Sequence, residues 1–569
     1  MAAFKTYRPY EPFQELILPP NLQDWLPEGH LARFISDVVD HMDLSAIFAV
    51  YERGMRGGQP PYHPVMMTKL LVYGYCTGVR SSRAIERATY EMVPFRMLSG
   101  DQQPDHDSIA DFRKRHIDAF KGLFAQTVRV AREAGLADLA HVAVDGSKIK
   151  ANASKHKAMS YDRMQAAEKE LETEIARILA EAEALDDEED ARFGKGRRGD
   201  DLPKELQRRE DRLKKIRQAK QRLEERARAE ATARAREAER KIAERREWEA
   251  RTGQKAPGRE PNVPSPEEAR PDAKAQCNFT DSDSRIMKDG ATKEFTQAYN
   301  AQNAVDGKVG IIVGTHVTQA ANDAQQLAPT VSEVTENCGA APKIVSADAG
   351  YGGEAALSDE RLKGIDLYVA TGRERKNTAV RRSAAHSARV ASLLMGLCLC
   401  CAGAGAGVGY AVSLVPVVPL ALAVKPQLTA RRRVAFFHAR EALVFAIRVT
   451  VSATGSLMCH AGPIPSCNLQ TARDHMRHKL QTETGKAIYA RRKAIVEAPF
   501  GNIKEVQGVR RFLVRGLNKV QGEWNLATAC HNVLKLFRYG KQAAIEALKQ
   551  QPHATAGPTG QSPQVVTAH

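Results

Sequence analysis

The spacing of apolar and polar positions divides the chain into blocks of different period. Between residues 20 and 136 apolar side chains recur every three or four positions, as in Leu31, Phe34, Ile35 and Val38, and again in Met66, Leu70, Leu71, Tyr73 and Tyr75. That period lines one face of a helix, and Gly57, Gly58, Pro60 and Pro61 punctuate the run. Residues 1–140 are therefore expected to form a helical N-terminal unit, with Asp107 or Ser108 capping a helix over Ile109–His116. Residues 141–145 change character to a short apolar strand that ends on Asp145, followed by Gly146. From residue 160 to 255 the three/four alternation returns in a highly charged setting. Met164, Ala167, Leu171, Ile175, Ile178, Ala182 and Leu185 carry it first, and Leu206, Leu213, Ile216 and Leu223 resume it after a break at 186–203. The pattern predicts an inserted antiparallel helical hairpin, whose mixed charges suit a solvated coiled-coil arm for partner contact or dimerisation better than a DNA-binding rod. Pro257, Pro261, Pro264, Pro266 and Pro271 mark residues 256–272 as a linker.

The period then switches to two. Phe295–Val305, Asp306-Gly307 and Val309–Val317 read as a hairpin, because Asp-Gly supplies the positive φ angles of a tight turn. A helix over Asp323–Glu336, a strand over Lys343–Asp348 and a strand over Asp366–Ala370 follow. Strands alternating with helices imply a mixed α/β sheet with acids at strand ends, extending over residues 141–375. Residues 473–540 return to helical spacing, with Leu517, Val520, Trp524, Ala527, Leu534 and Phe537 on one face, and core packing accounts for Trp524 better than base stacking does. Residues 541–569 read as a disordered tail.

Residues 376–472 fit neither period. Val390–Val424 carries no charge over 35 residues, long enough on hydropathy to be taken for a membrane span. Its glycines (Gly403, Gly405, Gly407, Gly409), together with Pro416 and Pro419, argue against that. The whole segment holds five of the nine cysteines and one acid, Glu441. Such a composition is expected of an insertion, or of a stretch read in a shifted frame of a GC-rich gene. A metal site at Cys398, Cys400 and Cys401 is the competing reading, and its spacing is too tight for a zinc module.

Charge sharpens the division. The chain of 569 residues has a formal net charge of +16, which points to a polyanionic partner and to nucleic acid first. Residues 473–540 hold 14 Lys and Arg against 5 Asp and Glu, and residues 376–472 hold 10 against 1, so the first 375 residues carry none of the excess and are net −3. Arg80, Arg83, Arg87, Arg113, Lys114 and Arg115 leave two readings open, a helix-turn-helix facing DNA or the solvated face of a helical domain. An odd cysteine count without paired CxxC modules fits a reducing compartment, and Met1–Pro20 has no apolar run of the kind found in signal peptides. A cytoplasmic, nucleoid-associated protein with no membrane role is expected.

Three acids stand out by position: Asp145 and Asp348 at strand ends, and Glu497 within a basic helical segment. Carboxylates on adjacent strand ends meet at one edge of a sheet, and a glutamate from a helix packed there completes a set of hard oxygen ligands suited to Mg²⁺. Singly, each acid reads as ordinary turn or surface chemistry.

Four ordered stretches give the set a frame: Ala143–Ser154 (AVDGSKIKANAS), Thr296–Gln302 (TQAYNAQ), Ser346–Tyr351 (SADAGY) and Tyr489–Lys504 (YARRKAIVEAPFGNIK). Together they resemble the DDE-type transposases of bacterial insertion sequences, over residues 20–375 and 473–540. The resemblance implies a ribonuclease H-like core, with Asp145, Asp348 and Glu497 as catalytic and metal-binding triad and two Mg²⁺ ions, or Mn²⁺, as cofactor. It also implies a Tyr-Arg-Glu-Lys signature carried by Tyr489, Arg492, Glu497 and Lys504, whose basic members contact DNA. Four residues separate Arg492 from Glu497 where three are usual, so Lys493 competes for the basic role. The implied partners are double-stranded DNA at the element's terminal inverted repeats and target DNA, bound by a homo-oligomer. A catalytically inactive remnant, acting at most as a DNA-binding or coiled-coil protein, is the second reading; strand cleavage in Mg²⁺ separates the two.

Overall fold

The computed structural model describes residues 21–52, 61–193, 204–256, 258–290, 293–372 and 471–550. The atypical block 376–472, apart from its last two residues, and with it the 390–424 run and the Cys398, Cys400, Cys401 reading, lies outside them.

Seven helices open the described chain: α1 Leu31–Asp40, α2 Ser45–Glu52, α3 Pro64–Thr77, α4 Ser82–Glu91, α5 Val93–Ser99, α6 His106–Arg115 and α7 Ala119–Glu133. Their starts carry recognisable caps. The Ser81 hydroxyl accepts from the Ala84 amide, and the Asp105 carboxylate accepts from the Ser108 amide. The α6 cap is thus Asp105, two residues before the first of the expected positions, because Asp105 takes the extended backbone that a cap requires while residues 107 and 108 are already helical.

These helices do not form a unit of their own. Their buried residues belong to one continuous apolar core that also takes in the sheet and the C-terminal helices. The link is α14, Leu517–Tyr539, which is buried almost all round between Val520 and Val533 and packs on α3, α7 and the sheet. Gly522 allows the closest approach: a Cβ there would meet the Ile117 carbonyl at 2.4 Å. Glu523, fully buried beside it, accepts from the Tyr75 hydroxyl at 2.9 Å and the Leu513 amide at 2.8 Å, with Arg80 Nη1 3.6 Å away. Arg80 also donates to the Gly508 carbonyl at 2.6 Å, and buried Arg113 donates to Ser82 at 2.9 Å. Two of the six basic residues considered for DNA contact are therefore internal struts, and Arg83, Arg87, Lys114 and Arg115 remain on the surface.

The sheet comprises β1 His141–Lys150, β4 Arg285–Lys288, β5 Phe295–Asp306, β6 Ile312–Thr318, β7 Ile344–Ala347 and β8 Asp366–Val369. β5 is antiparallel to β1 on one side and to β4 and β6 on the other, while β1, β7 and β8 run parallel in that order. Helix α10, Leu327–Cys338, connects β6 to β7 and covers β6. The fold class is mixed α/β.

Several boundaries differ from the sequence reading. β1 does not stop at Asp145; it runs on to Lys150 against β5, with Asp145 in register with Asn303 and Gly146 with Gln302. The β5–β6 turn takes its positive φ at Gly310 (82°) instead of at Asp306-Gly307. Asp306 stays in the strand because its buried carboxylate accepts from the Leu139 and Lys308 amides, both at 2.9 Å. Residues 541–550, assigned to the tail, form helix α15, Lys541–Gln550.

The arm consists of α8, Tyr161–Phe193, and α9, Lys204–Thr252, so α8 runs into the expected break while α9 starts where that break ends. Met164, Leu171, Leu213, Ile216 and Leu223 make its seam, closed at the base by Cys277 of β3, Gln276–Asn278, which pairs with β2, Ala158–Ser160. No helix among the described residues is long and apolar enough to cross a membrane.

Candidate active site

The parallel register of β1 and β7 sets Val144 beside Ala347, which carries Asp145 and Asp348 to the same edge of the sheet on adjacent strands. β7 ends there because Asp348 caps a 3-10 turn, Ala349–Tyr351, its carboxylate accepting from the Gly350 amide at 2.8 Å. Asp145 accepts from the next amide, Gly146, at 2.8 Å. Trp524 supports the strand from below: its indole donates at 3.1 Å to Asn303, the register partner of Asp145.

A third carboxylate, Asp323, joins the pair. It lies in the loop before α10, whose first residue is Leu327 and not the expected Asp323. Its Oδ1 accepts from Asn300 and from Gln302, each at 2.7 Å, with Lys148 Nζ at 3.4 Å. Gln302 accepts in turn from the buried Tyr351 hydroxyl. Gly146 is what allows this layer to lie against β1: a Cβ there would meet Gln302 Nε2 at 2.3 Å and Asp323 Oδ1 at 2.8 Å. The Asp145-Gly146 pair is therefore a point of close approach inside a strand and not a turn.

Burial, reinforced by the Asp348 and Asp323 carboxylates, pushes the Asp145 carboxyl up to about 6, against the opposing pull of the Gly146 amide and Arg492. The Tyr351 phenol is pushed well above its ordinary value by burial and then by the same three acids.

The C-terminal segment approaches this edge through α12, Ala472–Gln481, and α13, Glu483–Gly501. On α13 the residues Ile495, Val496, Pro499 and Phe500 are buried, and Arg492 lies on the same side with Nη1 3.8 Å from Asp145 Oδ2. The Tyr489 ring stacks under the Arg492 guanidinium at 5.7 Å. A π turn, Asn502–Val506, follows directly and shifts Lys504 around the axis, so the same-face relation to Glu497 expected of an unbroken helix is lost. Lys504 donates to the Ser147 hydroxyl on β1, and burial lowers its ammonium, partly offset by Asp289 and Asp145. Glu497 projects from the exposed side of α13 with Oε1 3.6 Å from Lys493 Nζ.

Of the residues named from the sequence, Asp145, Asp348, Arg492 and Lys504 are brought to one sheet edge, while Glu497 and Lys493 pair with each other on the outer face of the helix. Among the described residues no three His, Cys, Asp or Glu side chains are gathered closely enough to hold a metal ion. The donor chemistry of Asp145 and Asp348 nevertheless fits a hard divalent cation: carboxylate oxygens on adjacent strands, one of them raised by burial and then by its acidic neighbours. Sequence reasoning missed Asp323. An Asp a few residues ahead of an apolar helical run signals a cap, and nothing in the pattern distinguishes a carboxylate turned toward a neighbouring strand.

Comparison with known families gives two matches. A family described as a transposase domain (DUF772) matches residues 20–115, the region of α1 to α6. A family described as a transposase DDE domain matches residues 464–537, which include Tyr489, Arg492, Glu497 and Lys504. No curated protein and no solved structure matches the chain.

Proposed function

We propose that this chain, matched by transposase families over residues 20–115 and 464–537, is a DNA transposase that binds its element's ends and catalyses metal-dependent phosphodiester hydrolysis and strand transfer. The observation that carries this reading is the placement of Asp145 and Asp348 on adjacent parallel strands, with Arg492 of the DDE-matched segment 3.8 Å from Asp145. A ribonuclease H-like core is part of the proposal. Its support is the mixed sheet, with both aspartates at one edge and α13 packed over it.

Asp145 and Asp348 would hold a divalent ion, Mg²⁺ or Mn²⁺; Glu497, the third ligand that the resemblance implies, is turned to the outer face of α13 beside Lys493 and would have to swing to the sheet edge to join them. A divalent ion held there would supply Lewis-acid activation of water or a 3′-hydroxyl and charge neutralisation at the leaving oxygen. The protein's own groups prepare the place. The Gly350 amide orients Asp348, and Asn300 and Gln302 fix Asp323 so that its charge faces the pair. Ser147 holds the Lys504 ammonium half-buried beside β1, where it can take a DNA phosphate next to the scissile one. Arg492, stacked on Tyr489, balances Asp145 and offers a planar fork to a second phosphate oxygen.

Asp348→Asn tests the assignment. The variant should bind a duplex carrying the gene's flanking inverted repeats as the wild-type protein does, and should lose strand cleavage and joining. Wild-type cleavage by that variant would reject the site.

A further inference from the structure

A second functional surface lies where β1 leaves the sheet. A groove of about 500 Å³ is lined by Lys150, Lys155, His156, Lys157, Arg511 and Arg515, and no carboxylate lines it. Two segments far apart in the chain build it. The Lys150 amide donates to the Arg510 carbonyl at 3.2 Å, and the Phe512 amide returns a bond to the Lys150 carbonyl at 2.9 Å. Asn152 donates to the Leu513 carbonyl at 2.9 Å, and Arg515 Nε donates back to the Asn152 carbonyl at 3.0 Å. On the far wall Asn278 holds the Ser154 carbonyl at 2.8 Å.

The nearby acids are turned away. Asp281 is buried and accepts from the Tyr299 hydroxyl at 2.8 Å, and Asp283 accepts from the Leu517 amide at 3.0 Å. Among the described residues no carboxylate forms an ion pair with Lys150, Lys155, Lys157 or Arg511. Fixing like charges in one concavity is unfavourable unless an anion is shared among them. The hydroxyls of Ser154, Thr280 and Thr296 and the Asn152 amide line the same groove, the mixture of cations, hydroxyls and amides that contacts phosphate and sugar.

We propose that this groove is a binding site for the sugar-phosphate backbone of duplex DNA, distinct from the edge that carries Asp145 and Asp348. The inference rests on the transposase reading and adds a position to it. Lys150 lies five residues beyond Asp145 on the same strand, which is roughly 17 Å at the rise of an extended chain. At about 3.4 Å per nucleotide along one strand of a duplex, the groove meets phosphates about five nucleotides from the scissile one. It reads no base sequence; it fixes the register of the DNA at the cutting edge.

Salt dependence of binding tests this on the full chain, with a fluorescent 40-base-pair duplex of arbitrary sequence as probe. Lys155→Gln, Lys157→Gln and Arg511→Gln are combined in one variant. Arg212→Gln, Lys214→Gln and Lys215→Gln on the arm make a control of equal charge loss. Each lost phosphate contact should lower the slope of log K against log salt by about one. The groove variant should therefore lose about three and the control less than one. Equal slopes for groove variant and control, with the wild-type protein binding normally, overturn the groove assignment alone. No binding by the wild-type protein overturns the transposase reading and the groove with it.

Discussion

Arg492 Nη1 lies 3.8 Å from Asp145 Oδ2, joining the first strand of the sheet to a helix that follows the residue 376–472 block. The contact fixes where α13 meets the sheet. It also leaves Asp145 under opposing influences, an arginine on one side and two carboxylates on the other.

That balance gives a pH signature. The Asp145 carboxyl is raised to about 6 from 3.8, so the folded state favours its protonated form. The associated stability is fully present below pH 4 and is lost as pH rises through about 6. With chelator present, the ionised form costs about 3 kcal/mol above that window. Asp145→Asn should therefore melt higher than the wild-type protein at pH 7.5 and equal it near pH 4. An Asn variant that is less stable at pH 7.5 contradicts the buried, crowded environment assigned to this acid.

Gly146→Ala should be costly although it adds one methyl group. Its Cβ would sit 2.3 Å from Gln302 Nε2 and 2.8 Å from Asp323 Oδ1, and the layer behind them is tied by Tyr351 and Asn300. Overpacking of this kind costs about 1–3 kcal/mol. Denaturant unfolding measures the loss, and DNA cleavage should fall further than stability alone accounts for, because the floor beside Asp145 moves.

Lys504→Met keeps the length and apolar body of the side chain and removes the charge. Stability should change little, since the ammonium is itself disfavoured by burial. Charge-assisted contact to a phosphate contributes about 1.5–3 kcal/mol, so single-turnover cleavage should slow by about 10- to 150-fold. An unchanged rate assigns Lys504 to structure alone, through Ser147.

The elements were readable where one principle dominates. Helical spacing located α1, α3 and the arm, and short apolar runs bounded by turn residues located β5, β7 and β8 to within a few residues. Boundaries failed where tertiary contacts override local chemistry. Asp145-Gly146 and Asp306-Gly307 both look like turns, yet the first continues a strand because its glycine admits Gln302 and Asp323, while at the second the strand runs through Asp306, whose carboxylate is paired inside the core, and the turn begins at Gly307. The shared core of the N-terminal helices and the rest was not legible for the same reason: Glu523 and Gly522 seat α14 among those helices, a relation between residues hundreds of positions apart. The strand-end position of Asp348 and the resemblance carried by four motifs pointed to the two aspartates. Asp323 and the basic groove were invisible, because both depend on which segments meet.

Metal-specific rescue of cleavage bears most directly on the proposed triad. Asp145→Cys, Asp348→Cys and Glu497→Cys would each replace one hard oxygen ligand with a thiolate, which Mg²⁺ accepts poorly and Mn²⁺ tolerates better. With duplex carrying the flanking repeats, all three variants should be silent in Mg²⁺ and regain strand cleavage in Mn²⁺, while the wild-type protein cuts in both. Cleavage in Mg²⁺ by any of the three variants would contradict the triad.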